Sequence, residues 1–426
     1  MIQNMAGINA DHILDIDRKL AELTPISSER CIFRVHDPLR NENKKAYEPQ
    51  VVAIGPYHHG KDNLQPMEER KLRYLKQLLN RRDEDSAERY IEAMRESEEE
   101  AREFYAEPIR LDSNEFVEMM LLDSCFIIEL LRGSEMPNEP LVENALIRDL
   151  VLFENQLPFF IVKKLFDMTK NSAESIEDLI CMFISVFSWI IDWMTPVHNL
   201  VAPSVIPGED DIKHLLGLLH YCCCNPFHSM VSQRDHVEIE DKYLNSATEL
   251  QEAGIKFNKI EGRNLFDIRF VNGTMEIPTL QVDDDTESFF RNLIAYEQYL
   301  PDTNTTSWNH FTAYRKFMDY LVNTSKDVEI LTHRGIIFNL LGDNEVVADM
   351  INKLGNNIIV SYVGYEEVYN KVNEHCRGKW NHWLAILRRK HFNNPWALIS
   401  ILAAIVLLLL TVLQTIFTIH PVGKSK

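Results

Sequence analysis

The sequence predicts a mainly α-helical protein of the α+β class, with a small antiparallel β meander and one C-terminal transmembrane helix. Glycine is scarce, at 15 of 426 residues, against a usual fraction of about 7%. This scarcity argues against sandwiches, propellers and other folds built on glycine-rich turns. Apolar residues make up 45% and charged residues 25% of the chain, as in globular proteins with a substantial core. Long apolar runs then favour helices over strands.

Charge and cysteine usage exclude two further classes of protein. The net charge of −20 excludes a general nucleic-acid binder, because such a protein neutralises phosphates with lysine and arginine. The seven cysteines are Cys31, Cys125, Cys181, Cys222, Cys223, Cys224 and Cys376. Their odd number and irregular spacing indicate no disulfide framework and favour a reducing compartment. The N-terminus lacks the apolar core of a signal peptide.

Residues 1–28 are interpreted as a weakly amphipathic lead-in, and residues 29–202 as a helical lobe. A helix begins near Met67, with Pro66 at its first turn. The predicted apolar stripe of this helix consists of Leu72, Leu75, Leu78 and Leu79. Residues 114–132 form a predicted central helix, where Asp112 and Glu115 have the spacing of a capping box.

Two further apolar runs in this lobe are also predicted to be helical. The run over residues 146–166 contains Pro158, which should end or kink the helix near Leu157. The polar side chains of residues 154–156 are expected to bond the carbonyls that this break leaves free. The run over residues 176–194 is predicted to be a buried helix, because its length favours a helix over a strand.

Residues 203–245 are interpreted as a surface loop or linker between two lobes. Four histidines flank the cysteine triplet there: His214, His220, His228 and His236. Thiolate and imidazole are the usual zinc ligands, so a metal site is one alternative. Reversible acylation of a cysteine is another. Adjacent cysteines chelate one tetrahedral ion poorly, however, and no Cys-x-x-Cys pair occurs. An inert loop without a metal is therefore the preferred interpretation.

Residues 246–392 form the predicted second lobe, where the hydrophobic period changes from helical to alternating. The alternating runs are residues 254–260, 265–270 and 274–282. The Asn272-Gly273 pair between the last two predicts a tight hairpin, and Pro278 marks an edge or a bulge. The helices predicted after the meander span residues 287–298, 310–323, 327–334, 345–354 and 365–390.

The segment from Trp396 to Ile419 is predicted to be a transmembrane helix, followed by a short tail at 420–426. It holds no charged residue and would measure about 36 Å as a helix, enough to cross a hydrocarbon core of about 30 Å. Basic residues before the segment outnumber those after it, which predicts a single-pass protein with a cytoplasmic body. Glycosylation of the sequons at Asn272, Asn304 or Asn323 would require the opposite orientation.

Candidate catalytic residues are few in this sequence. His58 and His59 lie in the loop GPYHHG with Glu68 downstream, and a histidine–carboxylate pair could act as a general base. No nucleophile motif accompanies them, so His58, His59 and Glu68 are only weak candidates. The carboxylates inside apolar helices are Glu118, Asp123, Glu129, Asp149 and Glu154. Because no Glu-x-x-His motif occurs, they are expected to pair with arginine or to cap backbone groups rather than to bind iron.

Several long motifs, in order, resemble a plant family known as domain of unknown function 247, or UPF0481. They are YEPQVVAIGPYHHG (47–60), MEERKLRYL (67–75), EFVEMMLLDSCFIIELL (115–131), RDLVLFENQLPFF (148–160), SATELQEAGIKF (246–257), LIAYEQ (293–298) and the apolar ending 394–417. The segment HDPLRNENK departs from the more typical serine-containing loop. The resemblance implies a plant protein with a C-terminal transmembrane helix and no assigned catalytic residues. It further implies a role in recognition, such as pollen self-incompatibility.

The function expected from these observations is that of a membrane-anchored, non-enzymatic recognition or scaffold protein. It would contact lipid through its C-terminal helix and bind protein partners, without nucleic acid, cofactor or metal. The alternative is a hydrolase-like enzyme that uses the GPYHHG loop.

Overall fold

The computed structural model describes residues 30–133, 139–194, 208, 212–231, 243–300, 309–359, 364–377 and 395–419. Its first helices are α1 (Asp37–Arg40), α2 (Gln65–Arg82), α3 (Glu88–Glu96), α4 (Glu98–Glu103), α5 (Ser113–Leu131), α6 (Pro140–Asp149), α7 (Phe159–Thr169), α8 (Ile176–Val186) and α9 (Ser188–Met194). The later helices are α10 (Leu215–Val231), α11 (Ala247–Glu252), α12 (Thr286–Tyr299), α13 (His310–Leu321), α14 (Ser325–His333), α15 (Asn344–Lys353), α16 (Glu366–Arg377) and α17 (Pro395–Ile419). Short 3₁₀ turns span Lys44–Tyr47 and Asp62–Leu64.

Helix α5 lies at the centre of the first half of the chain. Its predicted capping box is confirmed, because Asp112 accepts from the Glu115 amide while Glu115 accepts from the Asp112 amide. Every residue of α5 from Met119 to Leu131 is buried, since the helix packs against α2, α3 and α7. A helix that is apolar on all faces is stable in water only when it is enclosed in this way.

The apolar stretch at 146–166 breaks earlier than the sequence predicted. Helix α6 ends at Asp149 and α7 begins at Phe159, directly after Pro158, so the prediction of a helix reaching Leu157 is wrong. The expected satisfaction of carbonyls is confirmed, because the Asn155 amide donates to the Asp149 carbonyl and the Gln156 amide to the Leu150 carbonyl. These bonds hold residues 150–158 as an ordered, buried connection.

The interpretation of 203–245 as a surface loop is wrong for residues 215–231. They form helix α10, in which Leu216, Leu219, Cys223 and Cys224 are fully buried. Helix α10 packs against α9 and α12. The predicted boundaries of the two lobes stay predictions, and the buried apolar side chains of the described chain form one connected core.

The predicted meander is a mixed sheet rather than a fully antiparallel one. Its strands are β1 (Lys256–Ile260), β2 (Arg269–Val271) and β3 (Thr274–Pro278), in the order β1-β3-β2. The β2–β3 hairpin is confirmed: Asn272 and Gly273 both have positive φ, of 50° and 77°, as the two central residues of a type I′ turn require. Strand β1, however, pairs with β3 in parallel.

A second, two-stranded sheet was not predicted. Strand β4 (Leu280–Val282) follows Pro278 closely and pairs in parallel with β5 (Ile337–Asn339). The helices predicted at 287–298, 310–323, 327–334 and 345–354 correspond to α12, α13, α14 and α15. The lead-in 1–28, His236, Asn304, residues 378–390 and the tail 420–426 lie outside the described residues.

The prediction of a transmembrane helix from Trp396 to Ile419 is wrong for the described chain. Helix α17 forms there, but within the described ranges no helix combines the length and the apolar character needed to cross a bilayer. The predicted single-pass localisation is corrected with it, whereas the predicted lipid contact stays a prediction.

Candidate functional site

Several of the sequence motifs lie close together around residues 47–60, which we call the motif loop. Backbone groups of its central part, residues 50–55, are hydrogen-bonded by side chains rather than by a neighbouring strand. These side chains come from α2, α5, α6 and the connection after α6. Residues that are distant in the sequence therefore hold the motif loop in place through hydrogen bonds.

Asp149 and Asn155 hold the first part of the motif loop. The Asp149 carboxylate accepts hydrogen bonds from the amides of residues 50, 51 and 52, at 2.7–3.1 Å, and from the Arg148 guanidinium at 2.9 Å. Asn155 accepts from the Ile54 amide at 2.7 Å and donates to the Val52 carbonyl at 3.0 Å. Burial outweighs these hydrogen bonds and raises the pKa of Asp149 to about 6.

Lys71 and Asp123 hold the second part of the loop as a buried ion pair. The Lys71 ammonium lies 2.5 Å from Asp123 and 2.6 Å from Glu68, and it donates to the Ala53 carbonyl. The other Asp123 oxygen accepts from the Gly55 amide at 2.7 Å. Burial alone would lower the pKa of Lys71, but the two carboxylates outweigh it and raise the pKa. Lys71 therefore stays charged inside the protein.

The predicted candidates His58, His59 and Glu68 do not converge on a reactive centre. Glu68 binds Lys71, and His59 is half-buried. The His58 ring is 1% exposed, and neither ring nitrogen has a hydrogen-bond partner. Burial and the nearby cations lower the pKa of His58 to about 3, so the ring is neutral at pH 7.

His58 nevertheless lies beside a carboxylate, as the general-base hypothesis required. Its Nε2 atom is 3.7 Å from Glu154. Glu154 is already engaged, because it accepts from the Val35 amide at 2.9 Å and from Arg40 at 2.5 Å. Among the described residues, no hydroxyl or thiol hydrogen-bonds to His58.

The other buried carboxylates have the structural roles expected from the sequence. Glu129 forms a two-pronged ion pair with Arg81, with both distances 2.6 Å. Glu118 is exposed, so it does not belong to the buried set. Lys71, the central cation of the site, was not among the residues predicted from the sequence.

Gly55 is required where the motif loop passes closest to the connection after α6. Its φ is +72°, and a Cβ atom would lie 2.2 Å from the Gln156 carbonyl oxygen. Gly60, in the same loop with φ +79°, has no atom within 4 Å of its Cβ position. Gly55→Ala should therefore lower the free energy of unfolding by about 1–3 kcal/mol more than Gly60→Ala. Urea unfolding of both variants measures the difference, and equal losses would contradict the close approach.

A second group of chemically active side chains lies in the core, although two of its three members, His220 and Cys224, fall in the predicted surface loop 203–245. His220 and Cys224 are one helical turn apart on α10, with 3.6 Å between Nε2 and Sγ. Glu297 on α12 lies 2.9 Å from the same Nε2 atom. All three are buried. The spacing of His220 and Cys224 would have predicted their proximity if 215–231 had been recognised as a helix.

The surface beside the motif loop contains a groove of about 440 Å³. Gln50 and Val51 of the loop line it together with residues of the first turns of α2 and Val142 of α6. Two arginines line it: Arg73 pairs with Glu69 at 2.7 Å, while Arg70, half-buried, has no described ion-pair partner. The groove thus offers a guanidinium to solvent on a strongly acidic protein.

Comparison with known proteins connects this architecture to a plant family. Residues 32–410 match the family model DUF247, described as plant protein of unknown function. The chain is 30% identical to UPF0481 protein At3g47200 of Arabidopsis thaliana, over 90% of this chain and 85% of that protein. It is 23% identical to Putative UPF0481 protein At3g02645 of the same plant, over 96% and 93%. No solved structure matches the chain significantly. With a match over nearly its whole length, the chain belongs to the DUF247 family of plant proteins of unknown function.

Proposed function

We propose that this protein is a non-enzymatic recognition or scaffold protein that binds a partner protein at the groove beside the motif loop. The observation that carries the proposal is that buried ionisable groups form hydrogen bonds with the backbone of the loop. Asp149, Lys71 and Asp123 all bond its backbone. A loop fixed in this way presents a preformed surface, which lowers the entropic cost of binding.

The partner segment that fits the groove best is an acidic peptide. Arg70 and Arg73 line the groove, and only Glu69 opposes them among its lining residues. Arginine binds carboxylates with two parallel hydrogen bonds, which gives both affinity and orientation. On a chain with a net charge of −20, such a local excess of positive charge would direct an acidic segment to this place. A part in cell recognition or signalling, such as self-incompatibility, is compatible with this role.

The charge of Arg70 provides the test. Arg70→Glu should weaken binding of a fluorescently labelled glutamate-rich peptide by about tenfold or more, equivalent to about 1.4 kcal/mol, because attraction becomes repulsion. Arg334→Glu is the matched control, since Arg334 is exposed at the end of α14 and the charge change is the same. Fluorescence anisotropy of the labelled peptide, titrated with the full chain, measures the affinity of both variants.

Two outcomes would contradict the proposed groove. One is equal affinity for the glutamate-rich peptide and for its glutamine counterpart. The other is an equal loss of affinity in both arginine variants.

The alternative, a hydrolase-like enzyme that uses the GPYHHG loop, has less support. His58 is 1% exposed, and a general base must come within hydrogen-bond reach of the proton that it removes. Ester hydrolysis by the wild type that is lost in His58→Gln would favour the enzyme over the binding protein.

A further inference from the structure

A cluster of three side chains lies inside the protein and takes no part in holding the motif loop. Its members are His220, Cys224 and Glu297. Their ligand atoms, Nε2, Sγ and a carboxylate oxygen, all lie within 4.8 Å of one another. Two elements supply them, because His220 and Cys224 share a face of α10 and Glu297 comes from the neighbouring α12. We propose that these three residues bind a single zinc ion.

The distances fit tetrahedral zinc. Zinc bonds of about 2.3 Å to sulfur and about 2.0–2.2 Å to nitrogen and oxygen separate nitrogen from sulfur by about 3.6 Å and nitrogen from oxygen by about 3.3 Å. The observed separations are 3.6 Å between His220 Nε2 and Cys224 Sγ and 2.9 Å between Nε2 and Glu297. The nitrogen–oxygen pair would have to open by about 0.4 Å to admit the ion, and the separation between the Cys224 sulfur and the Glu297 oxygen lies within 4.8 Å.

The same geometry argues against a cysteine nucleophile activated by histidine. In a catalytic triad, the nucleophile and the orienting carboxylate bind opposite nitrogens of the imidazole. Here Cys224 and Glu297 both approach Nε2. Three ligand atoms that lie within 4.8 Å of one another are instead compatible with a metal site.

Charge balance favours a divalent ion at this place. The cluster is buried, with His220 at 4%, Cys224 at 0% and Glu297 at 2% exposure. A thiolate and a carboxylate together neutralise one Zn²⁺, so the loaded site carries no net charge in the apolar interior, where an unbalanced charge is costly. Zinc binds cysteine as the thiolate, so binding should release the proton of the Cys224 thiol.

Groups around the cluster orient the ligands, as is usual for metal sites. Glu297 accepts from the amides of Phe311 and Thr312 at 2.9 and 2.7 Å, at the start of α13. The His220 ring packs against the rings of Tyr296 and Phe311, with centroids 5.1 and 5.7 Å apart. Zinc bound here would link α10, α12 and α13 across the core.

The chain offers a matched pair of variants for the test. Cys224→Ala removes a ligand, whereas Cys223→Ala removes an equally buried thiol that lies outside the cluster. The full chain would be loaded with zinc, desalted and analysed for metal by mass spectrometry. The wild type and Cys223→Ala should retain about one zinc per chain. Cys224→Ala and His220→Ala should bind at least about 100-fold more weakly, since loss of an outer partner alone costs about 10–100-fold.

Cobalt provides a readout that does not depend on the folding of a variant. Titration of the wild type with Co²⁺ should produce the thiolate-to-cobalt charge-transfer band and the intense visible bands of tetrahedral Co²⁺, both removed by added Zn²⁺. Absence of these bands in the wild type would overturn the proposal. Full zinc retention by Cys224→Ala would overturn it as well.

Discussion

Lys71→Met should lower the free energy of unfolding by about 3–5 kcal/mol, the usual cost of removing one partner from a buried ion pair. Lys71 is fully buried, and its ammonium contacts Asp123, Glu68 and the Ala53 carbonyl. Methionine fills a similar volume but leaves the Asp123 carboxylate uncompensated in the core. Urea unfolding monitored by circular dichroism measures the loss.

Lys76→Met is the control for Lys71→Met. Lys76 is exposed on the same helix, so its replacement should change stability by no more than about 0.5 kcal/mol. If both variants lose the same amount, the buried pair does not stabilise the fold as described.

The double variant Lys71→Met/Asp123→Asn separates the cost of the stranded charge from the loss of packing. In the wild type, Asp123 accepts a hydrogen bond from the Gly55 amide at 2.7 Å. Asparagine at position 123 still offers an oxygen for this hydrogen bond but carries no charge. The double variant should therefore be more stable than Lys71→Met alone. A further loss would mean that the carboxylate acts through something other than its charge.

Local chemistry explains which elements the sequence predicted correctly. The cap of α5 depends on two residues three positions apart, Asp112 and Glu115. The β2–β3 hairpin depends on the adjacent pair Asn272 and Gly273. In both cases the interacting groups are neighbours in the sequence, so the pattern of residues alone specifies the structure.

The orientation of α2 shows why the site itself was not predicted. The predicted apolar stripe included Leu72, which is 51% exposed. The face that is actually buried consists of Met67, Lys71, Tyr74 and Leu78. A lysine in a buried stripe is stable only with a partner, and that partner, Asp123, is 52 residues away in the sequence. The pairing of Lys71 with Asp123 is therefore visible only in the folded chain.

Pairings between distant segments account for the remaining differences. Strand β1 pairs in parallel with β3 rather than with the strand that follows it. Strand β4 has three residues and pairs with β5, which begins 57 positions after it at Ile337. Strands this short have too few residues for an alternating pattern. Glu297 likewise joins His220 from 77 residues away.

Acidification should destabilise the protein through two buried histidines. Burial lowers the pKa of His58 and that of His214 to about 3, while the value in the unfolded chain is about 6.5. Protons therefore bind the unfolded chain more tightly. The stability that each neutral histidine contributes is complete above about pH 6.5 and is lost as the pH falls toward 3. Between pH 7 and pH 4, each histidine should lower the free energy of unfolding by about 3 kcal/mol.

Asp149 acts in the opposite direction over part of this range. Its pKa in the folded protein is raised to about 6 by burial, above the unfolded value of about 3.9, so protonation near pH 5 favours the folded state. The change in the free energy of unfolding of the wild type with pH is therefore a sum of opposing contributions. Only the difference between the wild type and a histidine variant isolates one group.

His58→Gln should therefore lose about 3 kcal/mol less than the wild type between pH 7 and pH 4. Glutamine does not titrate, so any change in stability that it causes by packing is constant with pH and cancels from the comparison. His214→Gln should give a similar reduction, because His214 is also fully buried. Urea unfolding at several pH values measures the curves. Parallel curves for His58→Gln and the wild type would show that His58 takes up a proton as readily in the folded protein as in the unfolded chain, contrary to the burial of its ring.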